Sequence, residues 1–210
     1  MRAWLGILIT VLTTSVSAAP DEAMALFSQI MADEERRAKA ITAGLDRTRF
    51  CGHCHGVDGN SKRDHIPNLA AQHPLYLFSA FEKFANGERM DFVMNQLAQN
   101  LTLEDRVNIA VYYANQQVKH QTQSIPAELK AHGARLYEST CAGCHGAQGQ
   151  GFETLPRLAG QPQAYVEKAL VRFKTQDPAR PASIMQAVAA NLSDADITAA
   201  AAYVAGLKVD

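Results

Sequence analysis

The sequence predicts an all-α protein in which one helical unit is written twice. Apolar residues recur at helical spacing along most of the chain, and the alternating β-branched runs that mark a sheet are lacking. The second half also repeats the landmarks of the first in the same order. "CGHCHGVDGN" (51–60) stands over "CAGCHGAQGQ" (141–150), and "PNLAAQHPLYL" (67–77) over "PRLAGQPQAYV" (156–166). Gln72 thus aligns with Gln161, Tyr76 with Tyr165 and, further on, Phe84 with Phe173. Two extra residues enter the second copy in "TQDPARPAS"; then "MNQLAQNLTLEDRVNIAVYYA" (94–114) runs against "MQAVAANLSDADITAAAAYVA" (185–205).

The first 19 residues read as an export leader: Arg2 as a basic start, an apolar run from Ala3 to Leu12, and a small-residue cleavage site near Ala18 and Ala19. An apolar run of about ten residues is too short to span a hydrocarbon core ~30 Å thick. The next stretch, 20–44, is expected to add one helix before the first copy, with Phe27, Ile30, Met31, Ala38, Ile41 and Leu45 on one face and Met24 and Met31 as packing residues. "HPLYLFSAFEKFANG" places Leu77, Phe81 and Phe84 on one helical face, and "QPQAYVEKALVRFKTQ" suits the same role in the second copy. The last helix of each copy opens on a capping-box pattern that uses the shorter acid, Thr102 with Asp105 and Ser193 with Asp196. Polar, proline-bearing residues 117–129 read as a linker between units at 20–116 and 130–210. Units this small bury little core, so a large bound group would help them fold.

The formal charge of −1 gives no field of one sign, which excludes nucleic-acid binding driven by a basic surface. All four cysteines fall in two Cys-x-x-Cys pairs, which leaves none for a structural bridge in an oxidising compartment. In each pair a histidine follows the second cysteine. Residues at i, i+3 and i+4 share a helical face. Cys51 and Cys54 can therefore reach one edge of a flat macrocycle while His55 turns to its centre; Cys141, Cys144 and His145 repeat the arrangement. Cys-x-x-Cys-His is the pattern of covalent c-type haem attachment, with the histidine as axial iron ligand.

A zinc site would need further spaced ligands, and the other histidines, at 53, 65, 73, 120 and 132, do not repeat. A thioredoxin-like pair would need a βαβ context. For the second axial position the repeat selects Met94 and Met185, each six residues before an Asn-Leu pair. Met90 is the competitor in the first copy and has no methionine counterpart. A backbone carbonyl near Pro67 and Pro156 is expected to accept the imidazole N–H and fix its tautomer. Tyr76, Tyr112, Tyr165 and Tyr203 are expected as core aromatics whose hydroxyls need partners, or as contacts to haem carboxylates. His53 is expected to face solvent.

With these residues in view, the chain resembles the dihaem cytochrome c4 family over roughly residues 44 to 207, through its two "CxxCHG" motifs, "PNLAAQ" and "PRLAGQ", and the "NLTLEDRVNIAVYYA" and "NLSDADITAAAAYVA" helices. The resemblance implies two class I cytochrome c domains, two covalent haem c groups, and His/Met ligation by His55 with Met94 and His145 with Met185. It implies that the carbonyls of Pro67 and Pro156 hold the histidines, and that the haems face one another across the domain interface. It further implies a periplasmic one-electron carrier, sometimes associated peripherally with the membrane. Such a carrier takes electrons from a quinol–cytochrome c reductase-like donor and passes them to a terminal oxidase or another respiratory acceptor. Methionine ligation favours Fe(II) relative to bis-histidine ligation and closes the sixth position, which disfavours a dihaem peroxidase. A dihaem electron-accepting subunit, such as that of flavocytochrome c sulfide dehydrogenase, remains the alternative in partner rather than chemistry.

Overall fold

The computed structural model describes residues 20–119, 124–180 and 182–208; the leader and part of the linker lie outside them. Within the described residues eleven α-helices and one π-helix follow in order: α1 (Pro20–Ala32), α2 (Glu34–Arg47), α3 (Gly52–His55), α4 (Pro74–Ala85), α5 (Phe92–Gln99), α6 (Leu103–Ala114), α7 (Ala127–Leu136), the π-helix (Tyr137–Cys141), α8 (Ala142–His145), α9 (Gln163–Lys174), α10 (Ile184–Ala190) and α11 (Asp194–Ala205). Among the described residues the only β pairing is an isolated bridge, Phe152 to Leu155. No described helix is long and apolar enough to cross a membrane.

The stretch expected as one added helix is two. Asp33 breaks it: its backbone is extended, and its carboxylate accepts from the Arg36 N–H at 2.9 Å to cap α2. The break shifts the helical phase, so Ala38 and Leu45 on α2 are exposed and α2 buries Ala40 and Gly44 instead, with Thr48 buried at its C-cap; Met31, near the end of α1, is exposed as well. Only α1 is additional. It sets Phe27 and Ile30 into the first core, with the Phe27 and Phe78 rings edge to face at 5.6 Å.

Helix α2 crosses α6 just as α7 crosses α11. Both crossings turn on a glycine. A Cβ on Gly44 would lie 2.6 Å from the Tyr112 Cβ, and one on Gly133 would lie 2.6 Å from the Tyr203 Cβ. Thus α2 is the counterpart of α7, which itself starts at Ala127, inside the span read as a linker. Gly133→Ala is expected to cost about 1–3 kcal/mol of stability by overpacking, read from the denaturant midpoint of the holoprotein; an unchanged midpoint would deny the close crossing.

Gly133 stands eight residues before Cys141, whereas Gly44 stands seven before Cys51. The extra residue is absorbed by the π-helix at Tyr137–Cys141, which keeps the second motif in phase with its crossing. Four residues past each glycine the core compensates in size: fully buried Thr48 sits with Tyr113 in the first half, and fully buried Tyr137 with Val204 in the second. One large and one small side chain fill the same space in opposite order.

Both expected capping boxes are complete. Asp105 N–H donates to Thr102 at 3.1 Å and Thr102 N–H to Asp105 at 3.2 Å; the Ser193 and Asp196 bonds are 3.1 and 2.9 Å. In α4, Leu77, Phe78, Phe81 and Phe84 are buried on the face that the spacing predicts. Each of these side chains contributes about 1.5–3 kcal/mol on burial.

The halves meet through a polar seam built from the repeated Pro-x-Leu-Ala-x-Gln segments. Gln72 and Gln161, buried to 3% and 4% exposure, each bind the backbone of the opposite half. Arg157, 1% exposed, donates to the carbonyls of Ala70 (2.7 Å), Ala71 (3.2 Å) and Ala159. Its partners are carbonyls rather than a carboxylate, and burial pulls its pKa down to about 10, so it remains a cation at neutral pH.

Candidate metal centres

Each motif occupies one short helical turn. α3 presents Cys54 and His55 just after Cys51, and α8 presents Cys144 and His145 just after Cys141. Gly56 and Gly146 end these turns at φ 79° and 80°, a left-handed conformation that glycine adopts freely. His55 and His145 are buried to 9% and 6% exposure, while His53 points outward.

The two imidazoles are anchored identically. His55 Nδ1 lies 2.9 Å from the Pro67 carbonyl oxygen, and His145 Nδ1 lies 2.9 Å from that of Pro156. A carbonyl only accepts, so Nδ1 carries the proton and Nε2 keeps its lone pair. Burial lowers both histidine pKa values, although the proline carbonyls oppose it, and so favours the neutral ring. A neutral imidazole with free Nε2 and a fixed tautomer is the form that ligates a metal.

The leading cysteines are held as thiols. Burial pushes Cys51 above its ordinary value and Cys141 up to about 11. This is the reverse of an activated thiolate for disulfide exchange. Among the described residues no three His, Cys, Asp or Glu side chains converge as a metal cluster.

Met94 is the third residue of α5, packed against the first core; its N–H is capped by Asp91 at 3.1 Å. Met185 is the second residue of α10, half-buried. Met90 is exposed and committed by its backbone, with its N–H on the Ala179 carbonyl across the seam at 2.9 Å.

Sequence reasoning missed a cationic cluster on the seam. Arg89 lies over the Phe84 ring at 4.6 Å, and Arg180 over Phe173 at 4.9 Å. Arg89 donates to the Tyr165 hydroxyl at 3.3 Å, and Tyr76 also borders it. Burial pushes the Tyr165 phenol up, but Arg89 and Arg180 outweigh it and hold the phenol below its ordinary value. The Arg180 Nε is buried without a partner. The signal was present: each arginine stands five residues before its methionine, but the two-residue insertion hid the register.

These residues fit an iron porphyrin. The donor set per half is two thiols and one fixed imidazole. A buried Tyr113 hydroxyl beside Cys51 has no partner, and large apolar side chains flanking the sites, Phe92, Val93 and Ile184, are exposed. The two arginines suit a group bearing carboxylates.

A cytochrome c4 of Pseudomonas aeruginosa is 36% identical over 177 residues, spanning 79% of this chain and 87% of the relative. The crystal structure of reduced recombinant cytochrome c4 from Pseudomonas stutzeri superposes with a TM-score of 0.72 at 32% identity, covering 80% of this chain and 98% of that one. A thiosulfate dehydrogenase electron acceptor of Thiomonas intermedia is 31% identical over 169 residues, 74% of this chain and 77% of the relative. Residues 128–204 match the family model described as cytochrome C oxidase, cbb3-type, subunit III.

A duplicated helical fold that twice presents this cysteine–histidine turn defines an electron-transfer protein of the c-type, with covalently bound haem c as cofactor. The chain belongs to the cytochrome c4 family of dihaem cytochromes.

Proposed function

We propose that the protein is a periplasmic one-electron carrier with one haem c in each of two domains, 20–116 and 127–210, the second beginning with α7, feeding a terminal oxidase or another respiratory acceptor. Bound haem supplies the Fe(III)/Fe(II) couple. Cys51 with Cys54, and Cys141 with Cys144, hold it through thioethers. His55 with Met94, and His145 with Met185, supply the axial ligands. The carbonyls of Pro67 and Pro156 keep Nε2 of each histidine free for iron, and Arg89, Arg180, Tyr76 and Tyr165 receive the carboxylates at the seam. The observation that carries this reading is the identical 2.9 Å anchoring of both motif histidines on the motif prolines.

A potentiometric titration followed by visible absorbance is expected to resolve two one-electron components of similar amplitude. An amplitude equal to one haem per chain, or rapid turnover of peroxide by the reduced protein, would contradict the carrier.

A second reading places the protein as the dedicated acceptor of a thiosulfate-oxidising dehydrogenase, favoured by the likeness to the Thiomonas intermedia protein. The two readings share their chemistry and differ in the electron donor. Stopped-flow reduction by such a dehydrogenase with thiosulfate, compared with reduction by a quinol–cytochrome c reductase, separates them by rate.

A further inference from the structure

We propose that Gln72 and Gln161 are positioning residues that tune the histidines of the opposite half, each by polarising the peptide group on which that histidine is anchored. The inference rests on His55 and His145 being the axial ligands.

The geometry is reciprocal. The peptide between Pro67 and Asn68 accepts at its carbonyl from His55 Nδ1 at 2.9 Å, and its N–H donates to Gln161 Oε1 at 3.0 Å. The peptide between Pro156 and Arg157 accepts from His145 Nδ1 at 2.9 Å, and its N–H donates to Gln72 Oε1 at 2.8 Å. Each glutamine amide is locked by a second bond back: Gln161 Nε2 to the Asn68 carbonyl at 2.7 Å, and Gln72 Nε2 to the Arg157 carbonyl at 3.0 Å. Both glutamines are nearly fully buried, so water does not substitute for them.

The carbonyl and N–H of one peptide share a resonance system. Engaging the N–H makes the carbonyl a better acceptor, and chained bonds strengthen one another by about 10–30% each. A stronger acceptor on Nδ1–H makes the imidazole a more basic ligand, and hydrogen bonding beyond the ligands is one of the levers on iron potential. A more basic imidazole favours Fe(III). Each iron is thus poised partly by the half that does not carry it, and docking of the halves becomes part of what sets both potentials.

The test uses the full-length holoprotein with Gln161→Leu, which removes the acceptor, and Gln161→Glu, which replaces it with a stronger acceptor while giving up the Nε2 bond to the Asn68 carbonyl. Gln72→Leu and Gln72→Glu form the mirror pair. In the reduced protein, the Nδ1–H resonances of His55 and His145 are followed by NMR alongside the redox titration. Gln161→Leu is expected to move the His55 Nδ1–H upfield and to raise the reduced-to-oxidised ratio of the first-half centre severalfold at fixed potential, with a smaller effect on the second. Gln161→Glu is expected to move the His55 resonance downfield, and the Gln72 variants to act on His145. Effects confined to the glutamine's own half, equal in both halves, or absent while two haems remain bound would overturn the proposal. The ligand assignment fails separately: wild-type His55 and His145 ring protons would then lack the large displacement that a macrocycle imposes on its axial imidazole.

Discussion

Serine at both Cys51 and Cys54 is expected to halve the covalently bound haem of the purified protein and leave the second centre spectrally intact. Serine cannot form the thioether, and the only thiols on that turn are these two. The effect reaches beyond colour. A small helical unit buries limited surface, so removal of a large apolar group lowers stability as well. The second half is the more exposed to that loss: its buried cluster consists of Tyr137, Val166, Ala201 and Val204, against a first cluster rich in phenylalanine. The matching pair, Cys141→Ser with Cys144→Ser, is therefore expected to lower the thermal midpoint more than the first pair. Haem content by the alkaline pyridine spectrum and a melt of each variant check both statements. Retention of two covalent haems in either variant would remove that attachment site.

Leucine at Met94 or Met185 is expected to keep haem content and open one sixth coordination position. The thiols and histidine lie on different elements from the methionine in each half: α3 and its N-cap Cys51 against α5, and α8 with Cys141 at the end of the π-helix against α10. Attachment therefore survives the change. The reduced variant should bind carbon monoxide at one centre, and that centre's midpoint should fall, because the thioether stabilises Fe(II). Axial ligand identity spans about 0.8 V in haem proteins, so this is the largest shift any single substitution here should give. Met90→Leu is the control: Met90 is exposed and engaged through its backbone, and its variant should keep the wild-type spectrum. Unchanged spectra in Met94→Leu and Met185→Leu would remove the methionine assignment.

The helical class, the duplication and the cysteine–histidine turns were readable from sequence because each rests on local spacing. So were the capping boxes, which need residues only three apart. What escaped depends on contacts between distant segments or on changes of phase. Asp33 interrupts a stretch that reads as one amphipathic helix, and its capping role shows only once the Arg36 N–H is seen to turn toward it. The kinship of α2 with α7 was hidden because a helix crossing leaves little trace beyond one glycine, and the two glycines stand at different distances from their motifs. Gln72 and Gln161 were visible as a repeat but without a purpose, since their partners lie 85 and 93 residues away across the seam. Arg157 faces Asn68 in the repeat, and nothing in that pairing foretells a buried guanidinium whose partners are carbonyls of both halves.

The same contacts explain why the prolines matter. Pro67 and Pro156 have no N–H of their own to satisfy, yet their carbonyls anchor the imidazoles and their following peptides bind the opposite half. One short segment therefore sets the histidine tautomer, the docking of the halves and the link between them.

Covalent attachment of two haems is tested most directly by intact mass spectrometry of the denatured protein, purified from a host able to attach haem c. The expected result is a single species with the mass of the chain plus two haems, surviving acid extraction and losing one haem for each pair of cysteines replaced. A bare chain, or one carrying zinc under native conditions, would contradict it.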